Sequence, residues 1–115
     1  PTLAGLCGLA KPVHLNGVSL MPVLNNPKAK VRQAAFTVTR IRGKIPGVKI
    51  NNQLGHTIRT ERYRYTEWGE GKHGVELYDY NTDPDEYTNL AKRDSAKKVI
   101  KGMQQLMQAT RAHTR

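Results

Sequence analysis

From Ala34 to Arg40, Phe36 and Val38 alternate with Thr37 and Thr39, the period of two that a strand with one buried face requires. The same period returns between His56 and Trp68, but its phase changes. Ile58 stands at an even position, whereas Tyr63 and Tyr65 stand at odd ones. A strand changes phase only through a turn or a bulge, so the pattern predicts a tight hairpin near Thr60-Glu61, with 56–60 pairing with 62–68. Gly69 to Gly74 predict a second turn. Val75 to Asp79 predict the next strand, with Val75 and Leu77 on one face and Glu76 and Tyr78 on the other. The period then lengthens. Ala96, Val99, Ile100, Met103, Leu106, Met107 and Thr110 form one stripe of an amphipathic helix, with Lys97, Lys98 and Lys101 pointing away from it. Asp94 or Ser95 is expected to cap that helix. Between strand and helix, Asn81-Thr-Asp-Pro-Asp85 predicts a turn that starts a short helix over 86–91.

The first third of the chain is less regular. Pro1 to Leu9 predict a short helix with Leu3, Leu6 and Cys7 on one face and Gly8 as its stop. Residues 10–19 read as a loop, and Ser19 to Leu24 as a compact apolar anchor broken by Asn25-Asn26-Pro27. Residues 41–54 hold Gly43, Pro46, Gly47 and Asn51-Asn52, which argue for a long loop of the kind that often carries function. The expected fold class is α+β. A small four-stranded antiparallel sheet is packed by a C-terminal amphipathic helix, and a helical and loop extension precedes it. The expected division is 1–33 and 34–115.

Composition narrows the functional classes. The 115 residues include 19 Lys and Arg against 9 Asp and Glu, a formal charge of +10. Arg40, Arg42, Lys44, Lys49, Arg59, Arg62 and Arg64 face a single acid, Glu61, within 34–66, and the other acids gather in 67–94. A basic middle segment attracts polyanions: nucleic acid, anionic lipid or a sulfated sugar. No stretch approaches the roughly 18 consecutive apolar residues of a membrane span. No charged-then-apolar leader is visible, and the first residue is Pro1 rather than Met, so the chain is expected to be part of something longer. A single cysteine, Cys7, excludes an internal disulfide framework and a cysteine-based zinc ribbon; its place on an apolar face predicts a buried structural thiol.

Candidate chemistry is sparse. His14, His56, His73 and His113 are scattered without metal-ligand spacing. Asp83 and Asp85 are expected to serve the turn through side-chain to backbone bonds. Gly69-x-Gly71 is a hairpin turn rather than a phosphate loop. The run Arg62-Tyr-Arg-Tyr65 admits two readings. In one, Tyr63 and Tyr65 face the core while Arg62 and Arg64 meet solvent or the following acidic strand. In the other, the tyrosines face outward and stack on bases, as in an independent basic nucleic-acid-binding module.

Several landmarks, in order, are shared with one family: Pro1-Thr-Leu-Ala-Gly-Leu-Cys-Gly-Leu9, Leu15-Asn-Gly-Val-Ser-Leu-Met-Pro-Val-Leu24, Ala34-Ala-Phe-Thr37, Gly55-His-Thr-Ile-Arg-Thr-Glu-Arg-Tyr-Arg-Tyr-Thr-Glu-Trp68, Glu76-Leu-Tyr-Asp79, Asp83-Pro84 and Asn89-Leu-Ala91. With these, the chain resembles the C-terminal part of a sulfatase, closest to the iduronate-2-sulfatase-like branch of the alkaline phosphatase superfamily. The resemblance implies a large α/β catalytic domain elsewhere and a small C-terminal subdomain here, with strands near 34–40, 56–60, 62–68 and 75–79 and a terminal helix. It implies a sulfuric ester hydrolase that uses calcium and a formylglycine made from Cys or Ser in a Cys/Ser-x-Pro-x-Arg motif. Cys7, Ser19 and Ser95 do not fit that motif, so no catalytic or metal residue carries over and the segment alone is expected to be inactive. Implied partners are the large catalytic domain and a sulfated saccharide or other sulfate ester. No membrane partner is expected. The isolated chain is expected to self-associate through Leu3, Leu6, Leu20 and Leu24. The implied compartment is periplasmic, extracellular or lysosomal. Loops of the small subdomain border the substrate cleft in the family, which makes Arg40, Arg42, Lys44 and His56, with Lys49, the candidate substrate-binding residues of the 40–56 segment. The alternative for this segment is docking against the large domain. Val38 and Thr39 stand where relatives often carry Gln and an aromatic residue.

Overall fold

The computed structural model describes residues 1–15, 17–41 and 53–112. The chain divides into two compact units, Pro1–Gln33 and a second that starts at Ala34.

The first unit holds two single-turn helices, α1 (Thr2–Leu6) and α2 (Met21–Asn25). Pro1 precedes α1 and Pro22 sits in the first turn of α2, where the missing N–H costs nothing. The Leu20 N–H donates to Thr2 Oγ1 at 2.9 Å, which ties the start of α2 to α1. Neither helix buries a residue, and Leu3, Leu6, Leu20 and Leu24 remain exposed. Cys7 is exposed as well, not buried as its apolar neighbours suggested. A five-residue helix has no interior in which to place a thiol.

The second unit is a meander. Strands β1 (Ala35–Arg40), β2 (Leu54–Arg59), β3 (Tyr63–Trp68) and β4 (Val75–Asp79) lie in the order β1-β2-β3-β4, each antiparallel to its neighbour. The register sets Phe36 opposite Ile58, Ile58 opposite Tyr65, and Tyr65 opposite Leu77, one apolar row across all four strands. A 3-10 turn, Asp94–Ala96, leads into α3 (Lys97–Ala112). The predicted stripe faces this row. Ala96, Met103 and Met107 are buried in one cluster with Ile58, Tyr65 and Leu77, and Val99, Ile100 and Leu106 pack around it. Gln104 Nε2 donates to the Tyr65 hydroxyl at 3.1 Å, and that hydroxyl donates to Glu67 Oε1 at 2.9 Å. Burial, reinforced by the Glu67 carboxylate, pushes the Tyr65 phenol above its ordinary range. The α+β expectation therefore holds.

Two local expectations fail. Residues 86–91 are not helical. Glu86 has φ 61°, in the left-handed region, and the Asp83 carboxylate accepts the Tyr87 and Thr88 N–H groups at 3.0 and 2.7 Å. The segment then bonds to the outer edge of β4. Leu77 N–H donates to Asn89 Oδ1 at 3.1 Å, Asn89 Nδ2 donates to the Val75 carbonyl at 3.2 Å, and Leu90 N–H donates to the Leu77 carbonyl at 2.8 Å. These bonds satisfy edge groups that a helix would leave bare. Neither Asp94 nor Ser95 caps the backbone as expected. The 3-10 turn carries no side-chain cap bond, and Asp94 pairs with Lys97 Nζ at 2.7 Å.

The face opposite α3 is held by charge and aromatic contacts. Arg64 pairs with Glu86, which also accepts from the Tyr80 hydroxyl, and the Arg59 guanidinium lies 3.8 Å from the Tyr80 ring centroid. At the end of β4, Arg62 grips Asp79 through Nε at 3.0 Å and Nη2 at 2.8 Å. That grip holds the Asp79 carboxyl below its usual range; burial opposes the shift and the Asn81 N–H adds to it. Burial pushes Glu86 up, but Arg64 and Tyr80 together pull it lower still. A carboxylate depressed in the folded state contributes stability above its unfolded pKa and loses it as pH falls through the folded value. Stability should therefore drop below about pH 4. Asp79→Asn is expected to flatten this acid limb, read as a urea midpoint that depends less on pH than the parent's.

A candidate anion-binding site at one end of the sheet

Arg40 closes β1 opposite Leu54, and Val38 stands opposite His56. Side chains two apart share a face, so Arg40 and His56 project from the same side of the sheet. Both lie on strands, since β1 runs through Arg40 and β2 begins at Leu54. The chain is pinned beyond them by the Ile41 N–H, which donates to the Gln53 carbonyl at 3.0 Å. Arg42, Lys44 and Lys49 lie outside the described residues.

The turn between β3 and β4 arrives at the same end. Trp68 pairs with Gly55, and the Gly69 N–H donates to the Leu54 carbonyl at 2.9 Å. The turn needs backbone that L side chains rarely adopt: φ is 56° at Gly69, 59° at Glu70 and 84° at Gly71. Gly69 has a second reason to lack a side chain. A Cβ there would stand 2.4 Å from His73 Cδ2, so the glycine lets the imidazole close over the turn. The His73 N–H donates to the Trp68 carbonyl at 3.1 Å, fixing its place.

These elements border an open cavity of about 480 Å³ lined by Arg40, Gln53, Leu54, His56, Gly69, Glu70, Lys72 and His73. His56 is 7% exposed, its ring stacked near Phe36 with centroids 6.1 Å apart and planes 9° from parallel. Its Nδ1 is buried and has no hydrogen-bond partner. Such an orphan costs about 1–3 kcal/mol. Arg40, Lys72 and the two imidazoles are donors suited to carboxylate or sulfate oxygens, with Glu70 the one acid in the lining.

The structure thus brings together two of the four candidate residues, Arg40 and His56. Lys72, His73 and Gln53 were not anticipated. The signal that could have found them is the hairpin register, which carries the 69–74 turn back to the start of β2. The run Arg62-Tyr-Arg-Tyr65 follows its core-facing reading. Tyr65 is fully buried and Tyr63 packs against the same core, while Arg62 and Arg64 are engaged by Asp79 and Glu86. Among the described residues, no three His, Cys, Asp or Glu side chains form a group that could hold a metal ion. No described helix is long and apolar enough to cross a membrane.

Comparison with known proteins gives a consistent result. The Δ4,5-hexuronate-2-O-sulfatase of Bacteroides thetaiotaomicron is 37% identical over 100 residues, covering 87% of this chain and 20% of that protein. Arylsulfatase K of Mus musculus is 33% identical over 95 residues, covering 79% of this chain and 17% of that protein. The structure of BT4656, solved in complex with its substrate D-glucosamine-2-N,6-O-disulfate, matches 98% of this chain and 23% of its own at a TM-score of 0.79 and 26% identity. The chain therefore spans about one fifth of the curated relatives it matches. Residues 1–113 match the family described as N-sulphoglucosamine sulphohydrolase, C-terminal, and the chain belongs to that family of sulfatase C-terminal domains.

Proposed function

We propose that this chain is the C-terminal part of a sulfuric ester hydrolase acting on a sulfated saccharide, and that its sheet end forms a cationic rim beside the substrate cleft. The observation that carries the reading is the convergence of Arg40 and His56 on one cavity in a sulfatase C-terminal domain. The saccharide class is supported by relatives whose names carry a hexuronate and a glucosamine disulfate. Arg42 and Lys44 belong to the same proposed rim. Residues 1–33 are proposed to pack Leu3, Leu6, Leu20 and Leu24 on the large catalytic domain, since these side chains find no burial within their own unit. The proposed compartment is periplasmic, extracellular or lysosomal.

The residues present do not fit the family's catalytic groups. Cys7 is followed by Gly8-Leu9-Ala10 and not by the formylglycine motif, and the described residues hold no metal-ligand group. Formylglycine and calcium are proposed to reside in the large domain. The role of this chain is then to bind and orient charge, which is work that an Arg fork and positioned imidazoles perform without joining the bond-breaking step. The isolated chain is expected not to hydrolyse an aryl sulfate, with or without calcium; turnover above the buffer rate by purified chain would overturn that.

In the complete enzyme, replacing Arg40, Arg42 and Lys44 together by Ala should raise KM for a sulfated oligosaccharide more than for a small aryl sulfate, which has no second anion to lose. Equal losses on both substrates would make the segment a docking element instead.

A further inference from the structure

We infer that the cavity at the sheet end is a pocket for a non-reacting oxyanion of the saccharide, bordered by the β3–β4 turn, with Lys72 and His73 joining Arg40 in its lining and with His56 as its buried polar wall. This rests on the substrate-rim reading and assigns residues that reading leaves out. Three independent observations support it.

The first is His56. It is more than nine-tenths buried, it is part of the cavity lining, and its Nδ1 has no partner. Packing against Phe36 would be served as well by an apolar ring, which carries no unsatisfied nitrogen. His56 therefore brings to the cavity wall a ring whose polar nitrogen the fold leaves unsatisfied. The second is the turn. Gly69 admits the His73 ring where a Cβ would collide with it, and backbone bonds from Gly69 to Leu54 and from His73 to Trp68 hold the turn against the strands. Lys72 and His73 are thus presented by a braced element rather than by a loose tip. The third is size and charge. About 480 Å³ exceeds what a lone sulfate fills and falls within the range of small-ligand pockets, so the fitting occupant is a sugar unit bearing an oxyanion. Two fixed cations and two imidazoles surround it against one carboxylate, Glu70.

The carboxylate gives the test its sign. The assay uses the complete sulfatase and two probe disaccharides, each with the reacting sulfate and only one with an additional sulfate on the neighbouring sugar. A third probe carries a uronate carboxylate in place of that additional sulfate. Lys72→Ala and His73→Ala alter exposed turn side chains. Each should lower the ratio of kcat/KM for the doubly charged probe to that for the singly charged one by about tenfold, through KM rather than kcat. Glu70→Gln should raise the same ratio by about two- to threefold, because it removes the repelling charge. His56→Phe keeps the ring and removes the nitrogens, and should reduce the ratio as His73→Ala does. If His56→Phe fails to fold, the Glu70 and His73 variants decide the matter with their opposite signs. A loss that follows the carboxylate probe supports the same pocket with a carboxylate as its occupant. Ratios unmoved by Lys72, His73 and Glu70 while Arg40→Ala still raises KM would sink this pocket and leave the rim reading standing. Ratios unmoved by Arg40→Ala as well would sink both.

Discussion

Ile58→Asp is expected to abolish the cooperative unfolding transition of the unit that starts at Ala34. Ile58 has no exposed surface and stands between Phe36 and Tyr65 in the row that α3 covers. Removing its side chain forfeits about 1.5–3 kcal/mol of burial. Placing an unpaired carboxylate there adds several kcal/mol or forces it to take a proton. The stability of a small domain is only about 5–15 kcal/mol, so the two losses together approach the whole. Lys101→Asp, on the exposed side of α3, is the matched control and should leave the thermal transition in place. Melting followed by circular dichroism separates the two; an Ile58→Asp melt that overlays the parent's would show that α3 and the sheet do not share this core.

Gly55→Ala should destabilise the same unit and change the environment of its indole. Gly55 and Trp68 are cross-strand partners, and a Cβ on Gly55 would lie 2.5 Å from Trp68 Cζ3. The offending atoms belong to a rigid ring, so the indole must swing away and give up the bond from its Nε1 to Glu76 Oε1, now 2.8 Å. A cost of about 1–3 kcal/mol follows from this kind of overpacking. The chain has one tryptophan, so a red-shifted emission maximum together with a lowered midpoint reports the displacement directly. Gly102→Ala gives the contrast. Nothing lies within 4 Å of its Cβ position on α3, and helix propensity should stabilise it by up to about 1 kcal/mol. Emission and midpoint unchanged by Gly55→Ala would mean that the indole does not rest on this glycine.

Periodicity made the sheet and its helix legible. The phase change between Ile58 and Tyr63 located the hairpin because register must reverse where the inward positions do, and the structure pairs Ile58 with Tyr65. The stripe from Ala96 to Met107 was readable because a helix repeats its buried face along the chain. The 86–91 segment was not readable, because what shapes it is a tertiary contact: Asn89 bonding across to Val75 and Leu77. The cysteine misled for a related reason, since an apolar neighbourhood in sequence does not supply a core. In the candidate site, Arg40 and His56 stood out as cationic or titratable groups, but their shared face depends on the β1–β2 register. Lys72 and His73 looked like turn residues alone, because only the pairing of Trp68 with Gly55 brings their turn beside Leu54.

The bonds from Asn89 and Leu90 also make the two borders of the sheet unequal. Backbone groups of Val75 and Leu77 along β4 are already taken by the chain that follows, whereas β1 pairs only with β2 among the described residues and five of its six residues are exposed. Strand addition needs free N–H and C=O groups in register. Among the described residues, a foreign segment, whether from a misassembled copy or a designed binding peptide, therefore meets unpaired backbone along Ala35–Arg40 and occupied backbone along β4. The side of the sheet left for strand addition among the described residues is thus the one that ends at Arg40, a lining residue of the cavity.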